Sequence, residues 1–220
     1  MANAVQAVVT DGYHSLVSRV YSRDVVEVQV EITSYKIGEG GFQVVGPARE
    51  PVTPDPTLTD LASEGAVLSG QCNFSFGSAT VTGVGTAFLA EVSPGDFIKP
   101  AGTDIWGEVL AVPGNTTITL TAVFGGITAL LAEGRVAEEP WFTFRKAILA
   151  AEVVWIAPNV ARITASVLAG EANDDGLGNP PDFFELGLFD ANDVMVVYMT
   201  MPLETKVPGV VLGHIIDITF

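Results

Sequence analysis

The sequence predicts a mainly β protein: a β-sandwich or barrel-like domain with one N-terminal helix, carrying an inserted, smaller all-β module. Among its 220 residues, 23 are Gly and 13 are Pro, a composition typical of many short strands joined by tight turns. Only 16% of the residues are charged while 48% are hydrophobic, which excludes a disordered acidic chain. In several short runs, apolar and polar residues alternate, as they do in half-buried strands.

The N-terminal part is predicted to form one helix and then a strand. Asp11 is suited to cap a helix, and the apolar residues that follow recur at spacings of three and four as far as Tyr21. We expect this helix to end at residues 23–24. From Val26 to Ile32, apolar and polar residues alternate, which predicts a half-buried strand.

A glycine-rich interruption and a proline-rich segment follow this strand. Residues 46–65 contain four prolines among Thr and Asp, namely Pro47, Pro51, Pro54 and Pro56. Proline removes a backbone donor and restricts the residue before it to extended conformations. We therefore expect an extended polar loop over residues 46–65.

The middle of the chain is predicted to be the inserted module. Over residues 68–132 charges are rare, and Thr-rich runs alternate with glycine turns. Residues 106–112 are expected to form a strand, residues 113–115 a turn, and residues 117–122 the next strand, because Thr alternates there with apolar residues. This pattern indicates a small β module with its own core.

The C-terminal part returns to longer and more aromatic elements. The apolar run that ends at Ile156 fits either a pair of strands or a short buried helix, and periodicity does not separate the two. The other elements are expected in this order: a strand at 162–167, a loop at 170–182, a hairpin of strands 184–189 and 194–201 across residues 190–193, and a last strand at 213–220.

Charge and hydropathy limit the partners. Ten Lys and Arg stand against 26 Asp and Glu, a net charge of −16, which argues against binding to nucleic acid or to an anionic membrane. The most apolar stretch, residues 147–157, is interrupted by Glu152 and too short to span a bilayer, and the first residues lack the pattern of a secretory signal. Mean hydropathy of +0.41 is high for a soluble monomer and predicts a homo-oligomer.

Residues suited to catalysis or to metal binding are few. Cys72 is the one cysteine, so we interpret it as a small buried hydrophobe rather than a nucleophile or a zinc ligand. His14 and His214 lie too far apart in sequence to form a recognisable ligand pair, and we expect the first to be partly solvated and the second to be packed or interfacial. We expect no enzymatic activity, no cofactor and no metal.

Four weaker patterns are given structural interpretations. Residues 83–85 supply half of a dinucleotide-binding fingerprint, but the third glycine is missing. Residues 190–193 resemble the start of a calcium loop but lack its glycine and distal Glu, so we predict a hairpin turn. A second oxygen-rich loop carries Asp174, Asp175 and Asn179. The three tryptophans, Trp106, Trp141 and Trp155, are isolated and are assigned to cores, with sugar stacking as the alternative.

Three segments in order carry a resemblance to a known family. Tyr35–Phe42, with the sequence YKIGEGGF, is followed by Pro51–Thr59, with the sequence PVTPDPTLT. Residues 185–191, ELGLFDA, are then followed by Met201-Pro202 and by Lys206. Together they resemble the N-terminal, virion-attaching region of bacteriophage tail-collar and tail-fibre proteins. The middle segment resembles a small β-module of phage virion proteins.

The resemblance implies a discontinuous attachment domain, residues 1–66 and 134–220, around an inserted module, residues 67–133. It also implies a set of structural signature positions, with no catalytic role: Gly38, Glu39, Gly40, Gly41, Pro51, Pro54, Asp55, Pro56, Glu185, Gly187 and Asp190. We expect the glycines to adopt backbone angles that side chains disfavour. The proline-rich loop is expected to be an extended arm that lies along a neighbouring subunit.

The function implied is that of a structural protein in the phage tail, baseplate or neck, made in the host cytoplasm, that attaches or adapts tail fibres. Family members normally continue into a long fibre, so a chain ending at Phe220 is expected to be an adaptor or collar. Its expected partners are other virion proteins, fibres and further copies of itself. The alternatives are a carbohydrate- or receptor-binding β module of a tail fibre, using Trp106 or the loop of Asp174 to Asn179, and a depolymerising enzyme, for which no acid pair stands out.

Overall fold

The structure is a computed structural model and describes residues 6–9, 32–157, 160–175 and 178–219. Strands make up 52% of it and helices 5%, so the predicted mainly β fold is confirmed. The strands follow one another as β1 (Gln6–Val9), β2 (Ile32–Gly38), β3 (Phe42–Val45), β4 (Ala48–Pro51), β5 (Ala66–Val67), β6 (Gln71–Phe74), β7 (Thr80–Val84), β8 (Phe97–Pro100), β9 (Gly107–Gly114), β10 (Thr117–Leu120), β11 (Ala129–Ala132), β12 (Gly134–Ala137), β13 (Thr143–Ala147), β14 (Val153–Ala157), β15 (Val160–Val167), β16 (Asp182–Asp190), β17 (Met195–Thr205) and β18 (Leu212–Thr219). A short helix, α1 (Phe88–Glu91), and 3-10 turns at Ala62–Glu64 and Ala150–Glu152 complete the described elements.

The chain divides into two compact units. Unit 1 comprises Met1–Ala62 and Phe142–Phe220, and unit 2 comprises Ser63–Trp141. The domain boundaries expected from the sequence, 66/67 and 133/134, are therefore displaced. The physical reason is strand pairing, because β12 lies between β8 and β5 in the sheet of unit 2, with Val136 opposite both Ile98 and Ala66.

Unit 1 contains a two-layer sandwich. Its larger sheet has the antiparallel order β1-β17-β16-β2-β13, and its smaller sheet has the order β14-β15-β18. Buried side chains alternate along β15, as predicted, and point towards the larger sheet. The core between the sheets is apolar and includes Tyr35, Ile37, Ile163, Ala165, Val167, Leu186, Leu188, Val197, Met199, Met201 and Ile216.

The opposite face of the larger sheet is also covered. β16 is buried at every position from Phe183 to Asp190, so neither of its faces is open to solvent. On this second face, Phe189 and Tyr198 pack against Leu58 and Leu61. These two leucines belong to the segment after β4, residues 52–62, which we call the covering segment.

Unit 2 contains one eight-stranded sheet, in which the consecutive pairs β6–β7, β8–β9 and β9–β10 form hairpins. Its sheet has the order β11-β6-β7-β10-β9-β8-β12-β5, and the chain runs directly from β5 to β6 and from β11 to β12. Leu68 donates its backbone N–H to the Gly134 carbonyl, so the ends of the sheet approach each other. The apolar core includes Leu68, Cys72, Phe74, Val81, Phe88, Val92, Ile98, Val109, Ile118, Leu120 and Phe124.

Several predicted elements need correction. The loop expected over residues 46–65 begins instead with a hairpin, since β3 and β4 pair from Phe42–Pro51 to Val45–Ala48. The turn expected at residues 113–115 falls later, because Gly114 still pairs with Thr117. Of the two alternatives for the run ending at Ile156, the pair of strands is right and the buried helix is wrong, because β13 and β14 flank a 3-10 turn, although the two strands belong to different sheets. The core position expected for Trp155 is wrong, because this side chain is 63% exposed.

Other elements agree with their predictions. The hairpin across residues 190–193 forms between β16 and β17, and the strand at 117–120 lies in the sheet of unit 2. In β18, Ile216 and Ile218 both contact the core of unit 1. The predicted helix at residues 11–24 and most of the strand at 26–32 lie outside the described residues.

Candidate functional site

The signature residues of unit 1 gather around the buried carboxylate of Glu185. Glu185 lies on β16, on the face of the sheet that the covering segment packs against, and is fully buried. Its Oε2 accepts hydrogen bonds from the Tyr198 hydroxyl at 2.7 Å and from the Ala62 backbone N–H at 2.9 Å. A buried carboxylate is tolerated only with such donors, so Glu185 joins β16, β17 and the end of the covering segment.

Gly41 brings the start of the β3–β4 hairpin against this carboxylate. Its φ of +76° lies in the left-handed region, which L side chains rarely adopt. A Cβ at Gly41 would lie 2.9 Å from Glu185 Cβ and 3.0 Å from the Tyr198 hydroxyl oxygen. Of the three glycines in the GEGG segment, all within the described chain, Gly41 alone has a positive φ; Gly38 and Gly40 are buried without needing one.

Glu39 connects the ends of three strands. Its Oε2 accepts the Phe142 N–H at 2.9 Å and its Oε1 accepts the Asp182 N–H at 3.0 Å. Its own N–H donates to the Phe142 carbonyl at 3.1 Å. Burial raises the pKa of the Glu39 carboxyl, against the opposing effect of its two backbone donors. The end of β2 is thereby fastened to the approach to β13 and to the start of β16.

The covering segment is attached to its own unit. Val52 donates its N–H to the Gly41 carbonyl at 3.0 Å, and its carbonyl accepts the Thr200 hydroxyl at 2.7 Å. Pro54 is buried, whereas Pro51, Asp55 and Pro56 are exposed. Hydrogen bonds at Val52 and the burial of Pro54 therefore hold this segment on its own sheet, and its contact with a neighbouring subunit stays a prediction.

Asp55 shapes the exposed part of the covering segment. Its Oδ1 accepts the Thr57 N–H at 2.8 Å and the Thr57 hydroxyl at 2.7 Å. This pattern is an Asx turn, in which a side chain replaces a backbone acceptor. The hydroxyl and the N–H of Thr57 lower the pKa of the Asp55 carboxyl.

An ion pair and a close contact fix the end of the covering segment. The Lys36 ammonium, on β2, contacts Asp60 Oδ1 at 2.8 Å and lies 4.7 Å from the centre of the Phe189 ring. Both partners of the pair are largely buried, with side-chain exposures of 5% and 15%. A Cβ on Gly187 would lie 2.9 Å from Leu61 Cδ2, so glycine is what lets Leu61 approach β16.

Asp190 closes the hairpin at the far end of β16. Its Oδ1 accepts the backbone N–H groups of Asn192 and Val194, at 2.8 and 2.9 Å. Its own backbone N–H donates to the Val194 carbonyl at 3.0 Å. The predicted hairpin turn is confirmed, and its carboxylate serves the backbone of the turn.

The structure therefore brings together most of the signature positions, with Gly41, Glu185 and the start of the covering segment at the centre. Glu39 and Asp190 lie apart from this centre: Glu39 connects strand ends, and Asp190 serves the turn between β16 and β17. Sequence reasoning missed Lys36, Tyr198 and Thr200, which share the covered face. The sequence signal for these partners was Glu185 within the apolar run of β16. An acid in such a run is buried only where hydrogen-bond donors surround it.

The other candidate residues occupy structural positions. Cys72 is buried in the core of unit 2, as predicted, and burial raises the pKa of its thiol to about 11. Trp106 Nε1 donates to the Trp141 carbonyl at 3.0 Å, and the Lys99 ammonium lies 4.6 Å from its ring centre. Such contacts make Trp106 a poor stacking platform for a sugar.

The oxygen-rich loop and His214 are also engaged. Asp175 Oδ1 accepts the Asn179 N–H at 3.0 Å, which closes the loop on itself. His214 Nε2 lies 3.6 Å from Glu204 Oε2, and burial lowers its pKa although Glu204 opposes the change. His14 lies outside the described residues. Across the described ranges, no group of three or more His, Cys, Asp or Glu side chains is placed to hold a metal ion.

The chemistry available at this site is hydrogen bonding within the protein. The carboxylates of Glu39, Glu185 and Asp190 each accept from at least two donors of their own unit. Glu39 and Glu185 thus accept from chain segments that are distant in sequence, whereas Asp190 accepts from the backbone of its own turn. The arrangement fixes the geometry of unit 1 around its covering segment.

Comparison of the chain with protein-family models, with curated proteins and with solved structures finds no match in any of the three. In the part of the chain that the structure describes, no helix has the length and apolar character needed to cross a membrane.

Proposed function

We propose that this chain is a structural subunit of a bacteriophage virion, located in the tail, baseplate or neck, where it attaches or adapts tail fibres. Its partners are other virion proteins, and it acts in several copies. The proposal rests on the resemblance of three separate segments to the virion-attaching region of tail-collar and tail-fibre proteins. It assigns no catalytic activity, cofactor or metal to the chain.

The observation that most supports this proposal is the meeting of those three segments in space. The segments begin at Tyr35, Pro51 and Glu185; the first two are close in sequence, and the third lies far from both. In unit 1, Gly41 of the first lies against Glu185 of the third, and Val52 of the second bonds to Gly41. Motifs that match a family by chance have no reason to share one buried network.

The role of this network is to hold a defined surface rather than to bind a small ligand. The covering segment presents Asp55, Pro56 and Thr57 to solvent in a shape fixed by the Asx turn and by the bonds at Val52. A rigid exposed segment loses little conformational entropy on docking, which suits repeated contacts in an assembly. In this form the covering segment still contacts a neighbour, but as a surface and not as an arm.

The carbohydrate-binding alternative has less support. Trp106 is engaged by Trp141 and Lys99, and the loop of Asp174 to Asn179 is bonded internally. Neither offers the open aromatic face that sugar stacking needs. We therefore retain the assembly role alone.

The test is whether the chain belongs to a particle. Particles are purified by density gradient from a lysate of the strain that carries the gene, and the chain is quantified by mass spectrometry against a major virion protein. We expect a fixed copy number per particle, and particles made without the gene should lack fibres in negative-stain micrographs. Absence from purified particles, or fully fibred particles without the gene, contradicts the proposal.

A further inference from the structure

Unit 2 carries an extended surface without charge. Residues 65–90 and residues 109–132 contain no Asp, Glu, Lys or Arg, although the whole chain has a net charge of −16. These two stretches supply β6, β7, β10 and β11, which are consecutive neighbours in the sheet. The uncharged residues therefore lie side by side in the fold.

Five large apolar side chains are exposed at one corner of this surface. We call them the apolar rim: Phe76, Val123, Ile127, Leu130 and Leu131, with exposures of 71%, 61%, 69%, 66% and 54%. Scattered exposed hydrophobes are normal on a protein, but a group in one place marks an interaction site.

Backbone contacts place the rim residues together. Phe76 donates its N–H to Thr128 Oγ1 at 3.1 Å, which sets it beside Ile127. Gly77 donates to the Phe124 carbonyl at 2.9 Å, which brings the loop of Val123 to the same end of the sheet.

The two leucines join this group through the pairing of β11 with β6. Ala129 lies opposite Phe74 and Ala132 lies opposite Cys72. Leu130 and Leu131 are therefore on β11, next to the end of β6 that leads to Phe76.

The backbone at the two leucines is arranged to expose both of them. The β11–β6 register shifts between Ala129 and Ala132, a bulge that breaks the usual alternation of faces. Leu131 has a φ of +52°, an unfavourable value for a bulky side chain. Its N–H is held by Asn73 Oδ1 at 2.8 Å. An exposed leucine with an unfavourable backbone conformation does not stabilise the fold of a single chain. We therefore infer that Leu131 contributes to an intermolecular contact.

We propose that the apolar rim is where a second copy of this chain docks, rim against rim, with the copies related by a rotation axis beside β11. Electrostatic repulsion between copies favours this surface over the others. Two chains of net charge −16 repel each other, and acidic groups facing each other at an interface cost association energy. The rim and the strands next to it are a surface where copies can meet without opposing carboxylates.

The neighbouring face of the sheet suits the same contact. Thr82 lies opposite Thr117 and Thr80 opposite Thr119, and these side chains point away from the buried Val81 and Ile118. Asn73 Nδ2 donates to Thr82 Oγ1 at 3.3 Å. Neutral hydroxyl and amide groups beside an apolar centre match the anatomy of protein interfaces, in which charge is depleted at the core.

Charged groups lie at the border of the rim, and the exposed Asp104 is among them, because its neighbour Ile105 lies 3.4 Å from a Cβ built at Gly126. Glu108 Oε2 accepts the Thr121 hydroxyl at 3.1 Å, and Glu133 forms an ion pair with Arg135 at 2.7 Å. A basic partner would find no carboxylate within the rim itself. A neutral lipid surface remains the competing occupant, and the experiment separates it. The inference holds whether or not the chain is a virion protein, so its failure leaves the proposed function standing.

The first experiment traps the contact by disulfide formation in the full chain. Cys72 is the one cysteine and is buried, so it serves as a silent background. Ile127→Cys should give a covalent dimer on mild oxidation, visible on a non-reducing gel, because an axis beside the rim brings the two copies of residue 127 together. Leu110→Cys, which is 57% exposed on β9 in the same unit, is the matched control and should not. Equal trapping of both variants, or of neither, overturns the proposal.

The second experiment measures mass by sedimentation at two protein concentrations. The wild type should form a discrete oligomer, Leu130→Glu should shift it to monomer by weakening association at least tenfold, and Leu110→Glu should not. Both leucines are exposed, so both variants should fold, and unchanged circular dichroism checks this. A wild type that stays monomeric, or an oligomer that Leu130→Glu leaves intact, contradicts the proposal. A monomer that floats with phosphatidylcholine vesicles, and loses this through Leu130→Glu, assigns the rim to lipid instead.

Discussion

Unit 1 and unit 2 differ in how far apart in sequence their polar partners lie. In unit 1, hydrogen bonds join Glu185 to Ala62, Glu39 to Asp182 and Thr200 to Val52, across separations of 123, 143 and 148 residues. In unit 2, the separations are shorter: the buried ion pair of Lys99 and Glu64 spans 35 residues, and the bond from Arg135 to the Gly65 carbonyl spans 70.

This difference indicates which interactions determine the fold of each unit. Apart from the buried pair of Lys99 and Glu64, unit 2 is specified by an apolar core, in which shape and volume are what matter. Unit 1 has an apolar core between its two sheets, but its second face is positioned by buried carboxylates whose partners come from distant segments. Buried polar groups of that kind are costly unless fully satisfied, so their loss should be felt more than a change of apolar shape.

The largest expected effect is the difference between losing a buried carboxylate in unit 1 and changing an apolar side chain in unit 2. Glu185→Met keeps much of the side-chain volume but leaves the Tyr198 hydroxyl and the Ala62 N–H without their acceptor. We expect it to lower the free energy of unfolding by about 3 to 5 kcal/mol. Leu120→Met, at an equally buried apolar position in unit 2, should cost less than about 1.5 kcal/mol. Urea denaturation measures both, and similar costs would remove the distinction.

The next effect concerns the close contact of Gly41 with Glu185 and Tyr198 in unit 1. Gly41→Ala places a Cβ against Glu185 and Tyr198 in a left-handed backbone, and we expect a loss of about 3 kcal/mol. Gly46→Ala, in the β3–β4 turn, has a φ of +63° but nothing within 4 Å of its added Cβ, so about 1 kcal/mol is expected. Thermal melts of the two variants would contradict this account if their midpoints fell together.

A smaller effect concerns the attachment of the covering segment. Thr200→Val removes the hydroxyl that donates to the Val52 carbonyl while preserving shape, and we expect a cost of about 1 kcal/mol. Thr119→Val, on the outward face of unit 2, should change stability by less than about 0.5 kcal/mol. Limited proteolysis within residues 52–62 should also accelerate in the Thr200 variant alone; an unchanged cleavage rate would mean that this bond does not hold the segment.

Thiol labelling reports on unit 2 without affecting stability. Burial raises the pKa of Cys72 to about 11, so little thiolate exists at pH 8. We expect alkylation at least about 100-fold slower than for a free thiol, and rapid once unit 2 unfolds in urea. Rapid labelling of the native protein at pH 8 would show that the core around Cys72 opens readily.

The smallest expected effect is a pH dependence within unit 1. Burial lowers the pKa of His214 below its ordinary 6.5, so the folded state favours the neutral ring. The unfolded chain takes up a proton as the pH falls through 6.5 and the folded chain does so only at lower pH, so stability is lost in that direction. Between pH 7.5 and pH 5.5, wild type should lose more stability than His214→Gln. Equal losses would show that His214 does not contribute.

Prediction from the sequence succeeded where the pattern was local. The Thr alternation at residues 117–120, the strand at 162–167 and the hairpin at 190–193 are encoded by neighbours along the chain, so periodicity and turn chemistry sufficed. The β3–β4 hairpin was missed because the prolines in that segment outweighed the turn at Gly46 in our prediction.

The site was only partly predictable. Glu185 and Gly41 were selected through a resemblance, but their contact depends on register across β2, β16 and β17, which no local pattern specifies. Lys36 and Thr200 alternate with residues of the core between the two sheets, a pattern that by itself predicts a solvent-facing side chain. The covering segment makes that second face an interior one, and such coverage by a distant segment leaves no periodic signal.

The central claim is that the Glu185 network holds unit 1 while unit 2 is held by its own apolar core. Hydrogen exchange of Glu185→Met, compared peptide by peptide with wild type, tests it most directly. The account predicts faster exchange in β2, β16, β17 and the covering segment, with β6, β7 and β10 unchanged. Equal acceleration in both units, or none in the covering segment, would contradict it.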